Sequence, residues 1–325
     1  MKVLPRSVSY VGLVIGFTLL FLTPAHAITQ LAEDELFVMF WNLENLFDWK
    51  DSGQNDADAE FSSTGKRHWT RSRFEKKINM IAKSILWTGD QYGRIPDVIG
   101  FAEIENRGVI NRLLYDTVLD RAGYKIVHEE SADPRGIDVG LIYLKDKLRL
   151  VEYDVFRPEG TKTRDILYVC LESAEGRKYS FFVNHHPSKF SGASASDKKR
   201  TAVMRLMVSK ADSLIQAGCG TLISMGDFND SPSGKSFEEI GEVLENKSLT
   251  LYKKGDGTIK FAGKWDLIDM FMTSPGCDSQ MYICRLPFLM TPDRKYGGMK
   301  PFRTFSGPRY IGGVSDHCPI ILICH

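Results

Sequence analysis

Apolar positions recur along this chain with two alternating periods. The run LFVMFW (Leu36 to Trp41) reads as a strand, and RFEKKINMIAKSIL places Phe74, Ile78, Ile81 and Ile85 on one helical face. Pro96 opens PDVIGFAEIE, a buried strand that ends in acids. Ile110, Leu113, Leu114 and Val118 mark a second helix, closed by Gly123. DVGLIYL, LVEYDVF, ILYVCLES and KYSFFVN follow as four strands on short polar links, which predicts antiparallel pairing. A long helix is expected from about Ser196 to near Gly218, with Val203, Leu206, Leu214 and Ile215 inward. TLISMGDFN is the next strand, SFEEIGEVLE a short helix, and DLIDMFMT and PIILI the last strands. Helices and strands alternate through one chain, with no repeat and no low-complexity linker, which predicts an α/β sandwich with helices outside stacked sheets. The stretch Asp48 to Arg71 is long and polar enough to be a functional loop. Within it, NDADAE (Asn55 to Glu60) lacks the fixed Gly and final Glu of a Ca²⁺-binding EF-hand and reads as a mobile loop.

Composition changes this picture little. The 325 residues are 43% hydrophobic and 26% charged, as in a soluble globular protein, and the formal net charge of +1 points to no nucleic-acid or membrane partner by itself. The first 27 residues stand apart. Lys2 and Arg6 precede the apolar run VGLVIGFTLLFL, and Ala25 and Ala27 are small residues at a cleavage position, the pattern of a secretory signal peptide. The run is shorter than the roughly 20 residues of a membrane span. The expectation is a signal peptide over 1–27, a single domain over 28–325, and export to the periplasm or the medium with no transmembrane span in the mature chain. No Cys follows Ala27 directly, since residue 28 is Ile, which argues against a lipid anchor. All six cysteines lie in the exported part, where disulfides can form, and Cys277 with Cys284, close together in a loop-like stretch, is the expected pair. Without a C-x-x-C, a structural zinc site is not expected.

Six strand ends carry candidate chemistry. FWNLEN ends in Asn42 and Glu44, IGFAEIEN in Glu103 and Glu105, FFVNHHPSK in Asn184, His185 and His186, and LISMGDFND in Asp227 and Asn229. DLIDMF carries Asp269, and GGVSDHCPI carries Asp316 and His317. One polar strand end only shows a chain leaving the core. Six, all carboxylate, amide or imidazole, would line a cleft if the sheets bring them together. Hard oxygen donors with few thiolates suit Mg²⁺, with Mn²⁺ as a substitute, rather than zinc. Such a site is equipped for attack on a phosphate ester: the metal neutralises charge, an acid or base readies water, and Asn and His donate to developing charge.

FWNLENLFD, FAEIEN, VNHHPSK, MGDFND, LIDMFMTS and VSDHCPI stand in the order of the motifs of the endonuclease/exonuclease/phosphatase superfamily, which this chain resembles from Phe40 to Ile320. GDFN followed by SDH is the specific part. The resemblance implies a DNase I-like four-layer α/β sandwich: two face-to-face, mostly antiparallel β-sheets flanked by helices. It also implies roles. Glu103 resembles the principal metal ligand, Asn42 its supporting amide and Asp316 a further metal-side carboxylate. Asp227 resembles the residue that orients or deprotonates the nucleophilic water, and Asn229 a donor to phosphate or nucleophile. His317 resembles the catalytic histidine of the second sheet, with Asp269 holding its tautomer. Asp227 and His317 can each serve as base. His185 resembles the phosphate-binding histidine, with His186 as its rival. In PRGIDVGLIY, Arg135 resembles a phosphate contact and Asp138 the partner of His185.

Other features have a plainer reading beside a functional one. Glu105 is two residues from Glu103 and shares its face while the strand stays extended. KRHW (Lys66 to Trp69) with Arg71 and Arg73 reads as a basic, aromatic lip or as a solvated helix start. DKKR (Asp197 to Arg200) sets cations at a helix start, where negative charge is preferred. Arg303, Arg309 and Tyr310 lie in a loop leading into SDH and are expected to overhang the site. The leading functional expectation is an exported metal-dependent nuclease acting on DNA or RNA. The alternative is a hydrolase of a lipid or small phosphoester, sphingomyelinase-like or inositol-phosphate phosphatase-like. A lipid enzyme would need an exposed apolar or aromatic hairpin, and none is evident in the sequence. A scaffold without catalysis is disfavoured, because Glu103, Asp227 and His317 are all present. No stable protein partner is implied.

Overall fold

The computed structural model describes residues 30–53, 55–160, 163–188 and 193–325, with the side chains of 193–195 left aside. The expected signal peptide lies outside the described residues. The strands are β1 (Leu36–Leu46), β2 (Val98–Ile104), β3 (Tyr124–His128), β4 (Asp138–Leu144), β5 (Leu148–Phe156), β6 (Ile166–Ser173), β7 (Lys178–His185), β8 (Thr221–Asp227) and β9 (Glu245–Asn246). They continue as β10 (Ile259–Phe261), β11 (Lys264–Asp266), β12 (Asp269–Thr273), β13 (Ser279–Ile283), β14 (Met290–Pro292), β15 (Met299–Pro301), β16 (Phe305–Ser306), β17 (Arg309–Tyr310) and β18 (Ile320–Cys324). The helices are α1 (Asp56–Glu60), α2 (Arg71–Tyr92), α3 (Arg107–Tyr115), α4 (Ala193–Gln216) and α5 (Leu249–Lys253).

Two six-stranded sheets form, in the orders β13-β18-β1-β2-β4-β3 and β5-β6-β7-β8-β12-β9. Each has one parallel pair near its middle, β1 with β2 and β7 with β8, and is otherwise antiparallel. A parallel pair brings two carboxyl-terminal strand ends to one edge, so Asn42 comes beside Glu103 and His185 beside Asp227.

Strand alternation explains the layers. On β1, Leu36, Val38 and Phe40 join the core between the sheets, while Phe37, Met39 and Trp41 join the core beneath the helices. The helix-side core takes Phe74, Ile78, Ile81 and Ile85 of α2 and Ile110, Leu113 and Leu114 of α3. On the second sheet, α4 contributes Val203, Met204, Met207 and Ala211. At Gly100 the facing sheet leaves no room for a side chain, since an added Cβ would stand 2.8 Å from the Met225 sulfur. The result is the four-layer sandwich expected from the sequence. Among the described residues, no helix is long and apolar enough to cross a membrane.

Several local expectations differ from the structure. Val118 lies beyond the end of α3 and is 62% exposed. SFEEIGEVLE yields only a short 3₁₀ turn over Lys235–Ile240. NDADAE forms α1 rather than a loop, because the Asn55 side chain accepts from the Ala57 and Asp58 amides. Phe61 then stacks on Phe47 at 4.9 Å, and Trp69 donates to the Phe47 carbonyl at 2.8 Å. Cys277 and Cys284 are not joined, and all six cysteines are free thiols. The two flank β13, whose extended backbone rises about 3.3 Å per residue, far beyond the roughly 7 Å that a disulfide tolerates between Cα atoms.

Candidate active site

The strand ends meet at one edge of the sandwich, around the Asp227 carboxylate. Its Oδ2 accepts from Asn42 Nδ2 at 3.0 Å, and stands 3.7 Å from His185 Nε2 and 3.9 Å from His317 Nε2. Its Oδ1 accepts the Asn229 amide at 2.9 Å. Asn42 comes from the first sheet, His185 and Asp227 from the second, and His317 from the turn before β18. One oxygen is therefore approached from both sheets. Strand register places Asp269 directly across from Asp227, and Asp269 Oδ2 is 2.8 Å from His317 Nδ1.

Backbone geometry aims the remaining groups. Glu103 has φ of 59° and Asn229 φ of 49°; Glu44 and Asn45 are also left-handed. Non-glycine residues adopt this conformation at a cost, and such strain clusters at functional sites. At Glu103 it coincides with a register shift between β2 and β4. Glu103 Oε2 accepts the Asn45 amide at 2.9 Å, while Oε1 faces His185 Nε2 at 3.7 Å and Arg135 at 3.8 Å. The same break in alternation separates Glu105 from Glu103. Glu105 instead accepts the Asp48 amide at 2.7 Å, and burial, with Asp48 nearby, pushes its carboxyl up to about 7.

Burial and charge set the protonation of the two imidazoles that face Asp227. Burial alone would lower His317, but Asp269, through its charge and hydrogen bond, and then Asp227 and Asp316 hold it well above the ordinary range. Burial, reinforced by Arg164 and Arg135, holds His185 well below it. Asp227 is raised by burial and then by Asp269. His186 points elsewhere. Its ring packs against Phe228 at 4.9 Å, neither ring nitrogen has a hydrogen-bond partner among the described residues, and burial pushes it down to about 3. The side chain that faces the cleft is thus His185.

Not every expected residue takes its expected partner. Asp138 makes no hydrogen bond to His185. Its carboxylate is engaged by the Ser131 amide at 3.0 Å and the Ser131 hydroxyl, and it faces His128 at 3.5 Å. Asp316 stands at the cleft, paired with Arg303 at 3.1 Å and 3.9 Å from His317 Nε2. Arg303 also reaches Glu44, whereas Tyr310 packs on Trp69 and Phe305 beneath Arg73 instead of overhanging. In KRHW, Arg67 is held by Glu60 and the Gly307 carbonyl, and Trp69 is buried. Arg200 of DKKR is buried and paired with Asp197, leaving Lys198 and Lys199 exposed.

Two supporting residues escaped the sequence reading. Lys77, 2% exposed, donates to the Glu44 carbonyl at 2.6 Å and to Thr304 Oγ1 at 3.0 Å. Burial lowers Lys77 against the pull of Glu44, and raises Glu44 with the help of Asp316. A signal existed, since Lys77 falls three residues after Phe74 on the apolar face of α2. Arg164 carried none. It is 6% exposed, donates to the His185 and His186 carbonyls at 3.1 and 2.8 Å, and pairs with Asp133 at 2.8 Å.

The sequence profile of the Endonuclease/Exonuclease/phosphatase family matches residues 37–325. The chain belongs to that family. It is accordingly a phosphoric ester hydrolase of the endonuclease/exonuclease/phosphatase type. No curated protein matches it. Among solved structures, an endonuclease/exonuclease/phosphatase family protein of Bacteroides thetaiotaomicron superposes with a TM-score of 0.59 at 17% identity, covering 89% of this chain and 97% of that one. A mannosyl-6-phosphatase of Bacteroides thetaiotaomicron VPI-5482 gives 0.59 at 16% identity, covering 89% and 99%. The human nocturnin catalytic domain with bound sulfate gives 0.57 at 16%, covering 90% and 94%. At these identities the likeness is one of fold.

This family is generally dependent on a divalent metal, and the residues present fit one. Asn42, Glu103, Asp227 and Asp316 offer hard oxygen donors with no thiolate among them. The crowding that raises Asp227 is what a bound dication relieves. Asp227, Asp269 and His317 also have donor atoms within 4.8 Å of one another. There Asp269 Oδ2 is paired with His317 Nδ1 at 2.8 Å, while the buried Asp269 Oδ1 has no hydrogen-bond partner among the described residues.

Proposed function

We propose that this endonuclease/exonuclease/phosphatase enzyme is an exported, Mg²⁺-dependent nuclease that hydrolyses DNA or RNA phosphodiesters by in-line attack of water. The observation that carries the chemistry is the convergence of Asn42, His185 and His317 on one oxygen of Asp227. When bound, Mg²⁺ held by Glu103, with Asn42 and Asp316 at its side, supplies charge neutralisation on the phosphate and on the leaving oxygen. Asp227 takes the proton of the attacking water. His317, kept cationic by Asp269, donates to the charge growing on phosphate oxygen, and His185 and Asn229 hold the phosphate. Arg135 and Arg303, both half exposed, flank the cleft as phosphate contacts.

Nucleic acid is favoured by a basic and aromatic patch near the carboxyl end of β1. Arg112, Arg71 and Lys50 lie 4.6, 5.5 and 5.8 Å from the ring centre of half-buried Trp49. Such a surface pairs backbone attraction with a stacking platform for bases. A second reading, a lipid or small phosphoester, is favoured by the β10–β11 hairpin. Phe261 is 79% exposed at its tip, opposite Lys264. This is the aromatic hairpin that the sequence did not reveal. The mannosyl-6-phosphatase among the structural neighbours keeps a sugar phosphate in the comparison.

The test is hydrolysis by the chain from Ile28 onward with Mg²⁺ or EDTA, on plasmid DNA, RNA, sphingomyelin, inositol phosphates, mannosyl 6-phosphate and a chromogenic phosphodiester. EDTA-sensitive cutting of nucleic acid supports the nuclease. Turnover of lipid or sugar phosphate alone keeps the site and overturns the substrate. The leader over residues 1–27 supports export, and recovery of a chain starting at Ile28 outside the cytoplasm tests it.

A further inference from the structure

The turn between β3 and β4 carries donors that the catalytic scheme does not use. His128 ends β3, Asp138 opens β4, and Glu130 lies between them on the exposed side. One donor atom from each lies within 4.8 Å of the others. His128 is only 7% exposed, and its Nε2 has no hydrogen-bond partner among the described residues. That nitrogen faces Asp138 Oδ2 at 3.5 Å. Asp138 Oδ1 is already engaged by Ser131, which leaves Oδ2 as the oxygen turned to the imidazole. A buried polar atom that has lost its water and gained no partner is destabilising, so such an atom calls for a ligand.

We infer that His128, Glu130 and Asp138 form a second cation site, separate from Glu103, that takes a transition-metal dication of the Zn²⁺ class. One imidazole and two carboxylates make a three-donor set that leaves a fourth position for water. Donors on a tetrahedral ion at about 2.1 Å stand about 3.4 Å from one another. His128 and Asp138 already have that spacing, and Glu130, on the exposed side, brings an oxygen within 4.8 Å of both. The ion would fasten a turn that serves the active site at two points. In that turn Asp133 holds Arg164, which in turn holds the His185 and His186 carbonyls, and Arg135 donates to Asn45 Oδ1 at 2.9 Å beside Glu103.

The site is tested by metal uptake, which does not depend on the substrate or on turnover. Chelator-stripped Glu103→Gln protein is titrated with Zn²⁺, and with Co²⁺ as a visible reporter of donor geometry. One equivalent of Zn²⁺ should bind and raise the melting temperature. Adding His128→Ala or Glu130→Gln should weaken binding by more than roughly 10-fold, the lower end of what loss of an outer partner costs a metal site, and should change the Co²⁺ spectrum. Glu130 is exposed, so Glu130→Gln gives the answer even if His128→Ala does not fold. Uptake that neither substitution changes, or no uptake by the stripped protein, overturns the site.

Discussion

His317 and His185 approach the same oxygen of Asp227 from opposite sheets, both buried, yet they are held in opposite charge states. His317 has Asp269 at 2.8 Å on its far nitrogen. His185 Nδ1 has no hydrogen-bond partner among the described residues, and Arg164 and Arg135 are nearby cations. Burial pushes both down. What separates them is the charge nearest each ring, so burial alone assigns no role. The first sheet's edge presents a proton donor and the second sheet's edge a neutral imidazole, which suits one phosphate bound between them.

The severest way to break this comparison is to remove its centre. Asp227→Ala, Glu103→Ala and His317→Ala should each lower turnover by more than roughly 10⁴-fold while far-UV circular dichroism and melting stay those of a folded chain. A variant that keeps near-parental turnover loses its assigned role. Next in size is the partner that makes His317 different. Asp269→Asn should lower turnover by about 10²–10³-fold. It should also return the His317 ring toward the ordinary histidine range, followed by NMR titration; an unmoved ring would mean that Asp269 does not hold the charge.

Arg164 sharpens the other side. Arg164→Met leaves Asp133 and two carbonyls without their buried donor, and should cost about 3–5 kcal/mol in denaturant unfolding. A cost near zero would show that the His185 backbone is held without it. The smallest effect belongs to the histidine turned away from the cleft. His186→Phe should cost under about 1.5 kcal/mol and spare turnover, whereas His185→Phe should not be tolerated in activity. The folded-state pKa of His186, about 3, lies below its ordinary 6.5. The unfolded chain therefore binds the extra proton, and stability is full above pH 6.5 and is lost as pH falls toward 3. His186→Phe should flatten that loss by about 1.4 kcal/mol per pH unit within the window, read from unfolding midpoints at pH 7 and pH 5.

The site was legible in the sequence to the extent that its residues violate a pattern. Asn42, Glu103, Asp227 and Asp316 stand out because a carboxylate or amide at the end of an apolar run is costly without a purpose. Strand and helix periods likewise gave the sandwich. What stayed hidden depends on three-dimensional detail. The left-handed turn at Glu103 parts it from Glu105, which simple alternation had placed on the same face. β3, with its partly exposed YKIVH, carries too weak a signal to be seen, and the resemblance that pairs Asp138 with His185 holds no sign of its actual neighbour, His128. Arg164 binds backbone carbonyls, and carbonyls leave no trace in side-chain identity.

The most direct test of the central claim is hydrolysis of a nucleic-acid phosphodiester by parent and Asp227→Asn protein, with and without Mg²⁺, at matched folded concentration. Cleavage by the parent with Mg²⁺ only, and none by the variant, is the predicted result. Equal cleavage by both proteins would contradict an active site built around Asp227.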